Sequence, residues 1–286
     1  MAFNSKDTAA FKGVWVFCEQ RDGVILGTGY QLLSEGRKLA NDLGVELCGV
    51  LLGSGINEDM AKALGGYGAD RVYVCDHPLL KNYTTDGYTK VICDLVEEKK
   101  PEIFLIGATN IGRDLGPRVS ARLHTGLTAD CTHLDVDTEK YKAFLKTTST
   151  IDVDNTNWEV NTNLKMTRPA FGGHLMATIV CPDYRPQMST VRPGVMQTQE
   201  YNEETAEKTV LEKVDVQLTA EDIHVDVLEV VKSAKKVVDL IGADVVVSVG
   251  RGISADPKRG LEIAQELGNM KVANMVMLGA YIQAMG

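Results

Sequence analysis

Short apolar runs alternate with amphipathic stretches between Gly13 and Gly107, and this alternation limits the fold more than any other feature. The runs typical of buried strands are 14–18, 46–52, 71–75 and 102–106, and the stretches with helical spacing of apolar residues are 32–43, 60–64 and 88–97. Parallel strands need crossover connections of this kind, which are right-handed and cover the sheet on both faces. The sequence therefore predicts an α/β fold with a doubly wound, mostly parallel sheet, whose carboxyl edge receives ligands or partners.

The sequence changes character after Leu123. Three segments alternate polar and apolar residues and predict strands in a partly antiparallel extension of the sheet: Tyr141–Thr148, Thr156–Lys165 and His174–Cys181. Charged residues are frequent between Gln199 and Glu221, which is typical of an exposed connection. A new helix at 227–241 and a strand at 245–249 then predict a second domain. We place the boundary near Val225, which gives domains 1–225 and 226–286.

Composition and charge exclude several classes of protein. The 286 residues carry a net charge of -9, which argues against a nucleic-acid surface because such a surface needs concentrated Lys and Arg. No apolar run reaches the roughly 18 residues of a membrane span. Six cysteines are scattered without a C-x-x-C pair, so we expect reduced core thiols and no metal site. Residues 1–12 show neither a secretion signal nor a transit peptide, and we expect a cytoplasmic protein.

The first candidate site is the segment Gly107–Arg118, which follows a buried strand and leads into a helix. Its small residues let backbone N–H groups approach a ligand, and a helix start favours an anion or a carbonyl, so Thr109, Asn110 and Arg113 are candidates for facing a partner or a flavin. The alternative is a tight turn with Asp114 as the helix cap and Arg113 or Arg118 in a surface ion pair. The residues alone leave both interpretations open.

Two further segments, 167–174 and 185–194, contain Arg-Pro pairs. Proline fixes its own φ and holds the preceding residue extended, so each arginine is presented by a stiff backbone. That arrangement suits a binding wall or a rigid interface, and it equally suits arginines that satisfy loop carbonyls. His174 has no acid or base partner nearby in the sequence.

The last candidate is the apolar strand at 245–249, which ends in Gly250-Arg251-Gly252. Glycines without a Cβ can take positive φ, and a guanidinium can contact a pyrophosphate or a flavin ring, so Ser248, Gly250, Arg251 and Gly252 form a candidate phosphate or flavin cradle. The motif is weak by itself because it does not fit G-x-G-x-x-G.

Taken in order, these segments and the run 123–132 resemble the alpha subunit of electron-transferring flavoproteins over roughly Val14–Leu267. The resemblance implies a first domain with an adenine nucleotide alpha hydrolase-like fold that pairs with a beta subunit. It implies a second, flavodoxin-like domain that holds FAD, with Arg251 contacting the flavin. The implied function is to shuttle electrons between NADH-linked or acyl-CoA dehydrogenases and a redox partner, as in fatty acid β-oxidation. No catalytic acid or base is implied, because the flavin carries the redox chemistry.

The sequence departs from the family pattern after Leu267. The Ser-Arg-Ala, Gly-Gln-Thr-Gly and Ser-Gly-x-x-Gln-His segments that grip the flavin in the family are absent from it, and roughly sixty residues follow Val225. A flavodoxin-like sheet needs on the order of 100 residues, so we expect an incomplete FAD-binding domain. Two alternatives therefore stay open: a stand-alone adenine-nucleotide-binding module and a heterodimer scaffold without flavin.

We predict that this chain, purified without a partner, binds FAD weakly or not at all, because most of the flavin-gripping segments are missing. The visible absorbance of the purified protein, in the region where bound flavin is yellow, measures the bound cofactor. A stoichiometric yellow flavin in that preparation would contradict the prediction.

Overall fold

The computed structural model describes residues 3–231 and the isolated positions 256, 258, 259 and 262. One compact unit spans Met1–Asp226, and Val227–Gly286 form a second. The predicted strand 245–249, most of the predicted helix 227–241, and the predicted cradle Ser248, Gly250, Arg251 and Gly252 lie outside the described residues.

Twelve strands and six α-helices make up the described chain. The strands are β1 (Val14–Phe17), β2 (Gln20–Arg21), β3 (Val24–Ile25), β4 (Leu47–Gly53), β5 (Arg71–Asp76), β6 (Ile103–Gly107), β7 (Leu127–Cys131), β8 (His133–Asp135), β9 (Lys165–Ala170), β10 (Leu175–Ile179), β11 (Gln187–Val191) and β12 (Val210–Lys213). The helices are α1 (Gly27–Leu43), α2 (Glu58–Gly65), α3 (Thr85–Lys99), α4 (Asn110–Arg122), α5 (Thr138–Thr148) and α6 (Glu203–Lys208).

Seven of these strands form a central sheet in the order β12-β5-β4-β1-β6-β11-β7. All six pairings in it are parallel. The chain builds outward from β1 through β4 to β5, and then returns to the other side of β1 with β6. The predicted α/β fold with a doubly wound, mostly parallel sheet is therefore confirmed.

Alternate residues of β1 show why the sheet needs a layer of helices on each face. Val14 and Val16 point to one face, where they pack with α1 and α2. Trp15 and Phe17 point to the other face, where they pack with α3 and α4. All four side chains are buried. A strand that is apolar on both faces is stable only when both faces are removed from water.

Local signals fix the ends of these helices. Gly44 follows α1 with φ 65°, the left-handed conformation that commonly terminates a helix. Asn57 precedes α2, and its side chain accepts the N–H of Asp59. Both residues are the types that helix ends prefer. The predicted helix 32–43 ends where α1 ends but begins five residues late, and the predicted helix 60–64 lies within α2.

The extension after α4 differs from the sequence prediction in two of its three elements, and the first is a helix. The segment predicted as a strand at Tyr141–Thr148 belongs to helix α5. Asp137 caps this helix by accepting the N–H groups of Glu139 and Lys140. Tyr141 and Leu145, four residues apart, are buried together with Val153, so the spacing of the apolar residues is helical and not alternating.

Of the other two strands predicted in this region, one is wrong and one is confirmed. Of the segment Thr156–Lys165, only Lys165 belongs to a strand, and the rest has no regular structure. Two of its backbone carbonyls, those of Asn161 and Asn163, accept hydrogen bonds from the buried Lys165 ammonium. The prediction for 174–181 is confirmed, because β10 lies within it and pairs antiparallel with β9. Together β8, β9 and β10 form a separate three-stranded antiparallel sheet.

We expect Phe104→Ala to lower the free energy of unfolding by about 3–5 kcal/mol, because Phe104 is fully buried at the centre of the sheet and its loss leaves a cavity. Urea denaturation followed by tryptophan fluorescence measures this, since the Trp15 ring lies 6.1 Å from that of Phe104. Val24→Ala is the control, because Val24 is 67% exposed and should change stability by about 0.5 kcal/mol or less. Equal losses in the two variants would contradict the assignment of the core.

Candidate functional site

The candidate site lies at the carboxyl edge of the central sheet, between the ends of β1 and β6. The chain leaves β1 toward one side of the sheet and leaves β6 toward the other side. This position, where neighbouring strands lead to opposite faces, is called a switch point. In parallel sheets a switch point opens a crevice that commonly receives a ligand. Glu19 comes just after β1 and Thr109 just after β6, so both lie at this crevice.

The Glu19 carboxylate occupies the crevice. Its side chain is 6% exposed, and one of its oxygens accepts the guanidinium of Arg21 at 2.8 Å. The other oxygen accepts the hydroxyl of Thr109. A buried carboxylate needs such partners because an unpaired charge is costly to bury. The carboxyl ends of β1 and β6 are thus joined by a charged group of the chain itself.

Thr109 is also the cap of helix α4. Its hydroxyl oxygen accepts the N–H of Gly112 at 3.0 Å, and the helix begins at Asn110. The expectation that Asp114 caps this helix is therefore wrong. Asp114 lies one turn into α4 and accepts the hydroxyls of Thr85 and Tyr83. These two hydrogen bonds lower the pKa of the Asp114 carboxyl from its ordinary value.

The turn into α4 is too tight for a side chain at position 112. A Cβ added to Gly112 would lie 1.8 Å from the carbonyl oxygen of Gly107, well below any contact distance. The sequence indicated small residues in this turn, and their use is to bring the helix start close to the end of β6. One N–H group of this turn, that of Gly112, already donates to the hydroxyl oxygen of Thr109.

Arg113 makes the ion pair expected from the sequence, and its partner is Asp130. The two groups approach to 2.7 Å, and Arg113 also donates to the carbonyl of Ala108. Arg192 lies 4.0 Å from the same carboxylate. Two guanidinium groups therefore share one carboxylate, and both are about half exposed, with 52% and 47% of their side-chain surface accessible.

A β-bulge places Asp130 between these arginines. The register of β7 and β11 shifts between Ser189 and Val191. Asp130 takes φ 61° there, and its N–H donates to the hydroxyl of Thr190. Asp tolerates this left-handed conformation better than most residues, and bulges redirect side chains in this way. The bulge thus fixes the carboxylate that holds both arginines.

The three Arg-Pro arginines have different environments. Arg185 is buried and donates to the carbonyls of Cys181, Pro182 and Tyr184, so it satisfies loop carbonyls. Arg168 lies in β9, and its buried Nε has no hydrogen-bond partner among the described residues. Arg192 alone joins the candidate site. The sequence left open whether these arginines satisfy loop carbonyls or line a binding surface. Arg185 satisfies loop carbonyls, and Arg192 remains a candidate for the surface role.

The cysteines offer no nucleophile to this site. All six are free, and five are buried, as the sequence predicted. Burial raises the pKa of Cys18, the thiol nearest to Glu19 in the sequence, to about 12. Burial also raises the pKa of the Cys48, Cys75 and Cys93 thiols to about 12. These thiols are protonated at neutral pH and behave as small apolar side chains.

A cavity of about 670 Å³ opens at the opposite, amino edge of the sheet. Two of the cations that line it are already paired: Arg37 bonds to Asp70 at 2.7 Å, and Lys99 bonds to Glu212 at 2.8 Å. The amino edge is also away from the switch point between β1 and β6. We therefore keep the carboxyl edge as the candidate site, where the side chains of Glu19 and Thr109 lie in the crevice.

The structure brings together three residues that the sequence named, Thr109, Asn110 and Arg113, at the carboxyl edge. Sequence reasoning missed Glu19 and Asp130. Glu19 could have been found from its position, because it is a carboxylate directly after a buried apolar strand. The position of the Asp130 carboxylate depends on a β-bulge, and no local sequence pattern predicts that bulge.

Comparison with known proteins agrees with this fold. Residues 14–219 match the family described as electron transfer flavoprotein domain. A protein of Anaerotignum propionicum, acryloyl-CoA reductase electron transfer subunit beta, is 60% identical over 268 residues, which cover 93% of this chain and 73% of that protein. The electron transfer flavoprotein subunit alpha of Clostridium acetobutylicum is 50% identical over 262 residues, covering 92% and 71%. Protein FixB of Clostridium saccharobutylicum is 50% identical over 259 residues, covering 91% and 69%.

The chain therefore belongs to the electron transfer flavoprotein family. Within that family it is similar to alpha subunits and FixB proteins, so the resemblance seen in the sequence is confirmed. The predicted function is confirmed as electron transfer carried out with a partner. Among the described residues, no helix combines the length and apolar character that crossing a bilayer requires.

We expect Thr109→Ala to lower the free energy of unfolding by about 2–3 kcal/mol, because it removes a helix cap and a hydrogen bond to a buried carboxylate. Thr109→Ser keeps the hydroxyl and should lose less than about 1 kcal/mol. Urea denaturation of the two variants measures the difference. If the serine variant lost as much as the alanine variant, packing of the methyl group and not the hydroxyl would hold this edge together.

Proposed function

We propose that this chain is the alpha-type subunit of a cytoplasmic electron transfer flavoprotein that works as a heterodimer with a beta subunit. In this proposal residues 1–225 form the partner-binding domain and residues 226–286 belong to the flavin domain. Ser248, Gly250, Arg251 and Gly252 would contact FAD, whose isoalloxazine ring accepts and donates the electrons when it is bound. The proposal assigns the redox chemistry to the flavin and gives none of the described residues the role of a catalytic acid or base.

The observation that carries the proposal is the arginine pair at the carboxyl edge. Arg113 and Arg192 share the single carboxylate of Asp130, so this group of three side chains carries one net positive charge in an acidic chain. The guanidinium of Arg192 is the more available of the two, since its one ion contact among the described residues is 4.0 Å long. A positive group of this kind favours an acidic partner surface.

The donors and acceptors are proposed from relatives. One relative is named as a subunit that serves acryloyl-CoA reductase, and another, from Acetobacterium woodii, is named lactate dehydrogenase (NAD(+),ferredoxin) subunit LctC. We propose that this chain likewise exchanges electrons with an acyl-CoA dehydrogenase or an NADH-linked dehydrogenase. A role in fatty acid β-oxidation is one form of that proposal.

The alternatives have less support. A stand-alone adenine-nucleotide module would place its nucleotide near the switch point, and the Glu19 carboxylate fills that position and would repel phosphate. Retention of ATP or AMP by the chain without a partner would favour that module. A scaffold without flavin would assemble with a beta subunit and give no turnover.

We expect the chain mixed with a beta subunit of the family to support reduction of a dye by NADH or by an acyl-CoA dehydrogenase with its substrate. Arg192→Ala should weaken the complex by about 1 kcal/mol, or roughly fivefold in Kd, because it removes the excess positive charge. Arg122→Ala is the matched control, since Arg122 is an exposed arginine at the end of α4. A stable complex without dye reduction would replace the proposal with the scaffold, and equal effects of the two substitutions would remove the arginine pair from the interface.

A further inference from the structure

The outer edge of β10 is free among the described residues. β10 is the last strand of the three-stranded sheet, and it pairs only with β9 there. The stretch 175–180 contains no charged residue. Several of its apolar side chains are exposed: Leu175 by 58%, Met176 by 54%, Ile179 by 40% and Val180 by 48%. Proteins usually protect such an edge with charge, proline or a bulge, because it can pair with another strand.

The register with β9 shows which main-chain groups face outward. Met176 lies opposite Pro169, which has no N–H to donate. Hydrogen-bonded and non-bonded pairs alternate along an antiparallel ladder, so Leu175, Ala177 and Ile179 direct their main-chain groups toward β9. The carbonyl of Thr167, the partner of Thr178, accordingly accepts the N–H of Thr132 on the β8 side. Met176 and Thr178 are left to direct their N–H and C=O groups outward.

The sequence of β10 is complementary to itself when a second copy runs antiparallel. With the two-fold axis at Ala177, Leu175 lies opposite the second copy's residue 179, and Met176 lies opposite its residue 178. The outward groups of Met176 and Thr178 then exchange N–H···O=C bonds in both copies. Apolar side chains face apolar side chains in the flanking pairs, and no like charges meet, which are the conditions for a stable cross-strand pairing.

We propose that this chain, in the absence of a partner, pairs with a second copy of itself through β10. The two three-stranded sheets join into one antiparallel sheet of six strands about an axis through Ala177. The inference goes beyond the proposed function and does not depend on it, because it concerns the chain alone. Two short strands bury less surface than a standard interface, so the dimer should dissociate in the micromolar range.

Sedimentation velocity of the full chain at roughly 1 and 100 µM, a range that spans a micromolar Kd, tests the association. We expect dimer to increase with concentration. Met176→Lys puts a charge on the edge, and Met176→Pro removes an outward N–H that the pairing with β9 does not use; each should raise the dimer Kd at least about tenfold. Val24→Lys adds the same charge to the exposed strand β3 and should leave the dimer unchanged.

Cross-linking tests the register independently. Ala177→Cys brings two thiols face to face at the axis, within the Cα separation that a disulfide spans, so mild oxidation should give a covalent dimer. Met176→Cys faces residue 178 of the second copy and should cross-link far less. The proposal is overturned if the unmodified chain stays monomeric at the higher concentration, or if the edge variants dimerise as it does while their circular dichroism shows them folded. Equal cross-linking of the two cysteine variants would overturn the register.

Discussion

Burial of β1 and β6 on both faces is the constraint from which the rest of the described structure follows. These neighbouring strands are apolar at every position, so helices must cover the sheet above and below. Parallel strands joined by helical crossovers supply that cover, and a chain that builds outward from β1 in both directions leaves a switch point between β1 and β6. The position of the candidate site is thus a consequence of the hydrophobic pattern.

The side chains at the switch point determine whether the candidate site is an open pocket or a closed surface. Glu19 and Thr109 close the crevice with a hydrogen bond, and the tight turn at Gly112 keeps α4 close to β6. The edge therefore presents a surface with two half-exposed arginines instead of an open pocket. A surface of this kind suits contact with another protein, and membership of a family of electron-transfer subunits agrees with it.

The sequence was most informative where a segment carries both its periodicity and its end signals. Gly44 ends α1 and Asn57 caps α2, and the predicted helices match these two ends to within three residues, whereas the start of α1, which has no side-chain cap, was predicted five residues late. The segment 141–148 was wrongly predicted as a strand because its few apolar residues stand among polar ones. In sequence, a helix with one narrow buried side resembles an exposed strand. Thr109 and not Asp114 caps α4, because the helix begins at Asn110 and Asp114 already lies inside it.

The site was only partly predictable for a related reason. Thr109, Asn110 and Arg113 follow a recognisable strand in a glycine-rich turn, so local sequence revealed them. Asp130 and Arg192 come together through a bulge between β7 and β11, strands that are far apart in the chain. No local pattern encodes a contact of that kind. The buried position of Glu19 likewise depends on Thr109, which lies ninety residues further on.

Hydrogen–deuterium exchange of the chain with and without a beta subunit tests the central claim most directly, because it reports which edge of the sheet meets the partner. The account expects slower exchange in peptides that cover 108–114 and 190–196 when the partner is added, and no change at the amino edge around Lys12 and Glu46. Protection confined to the amino edge, with unchanged exchange around Arg113 and Arg192, would contradict it.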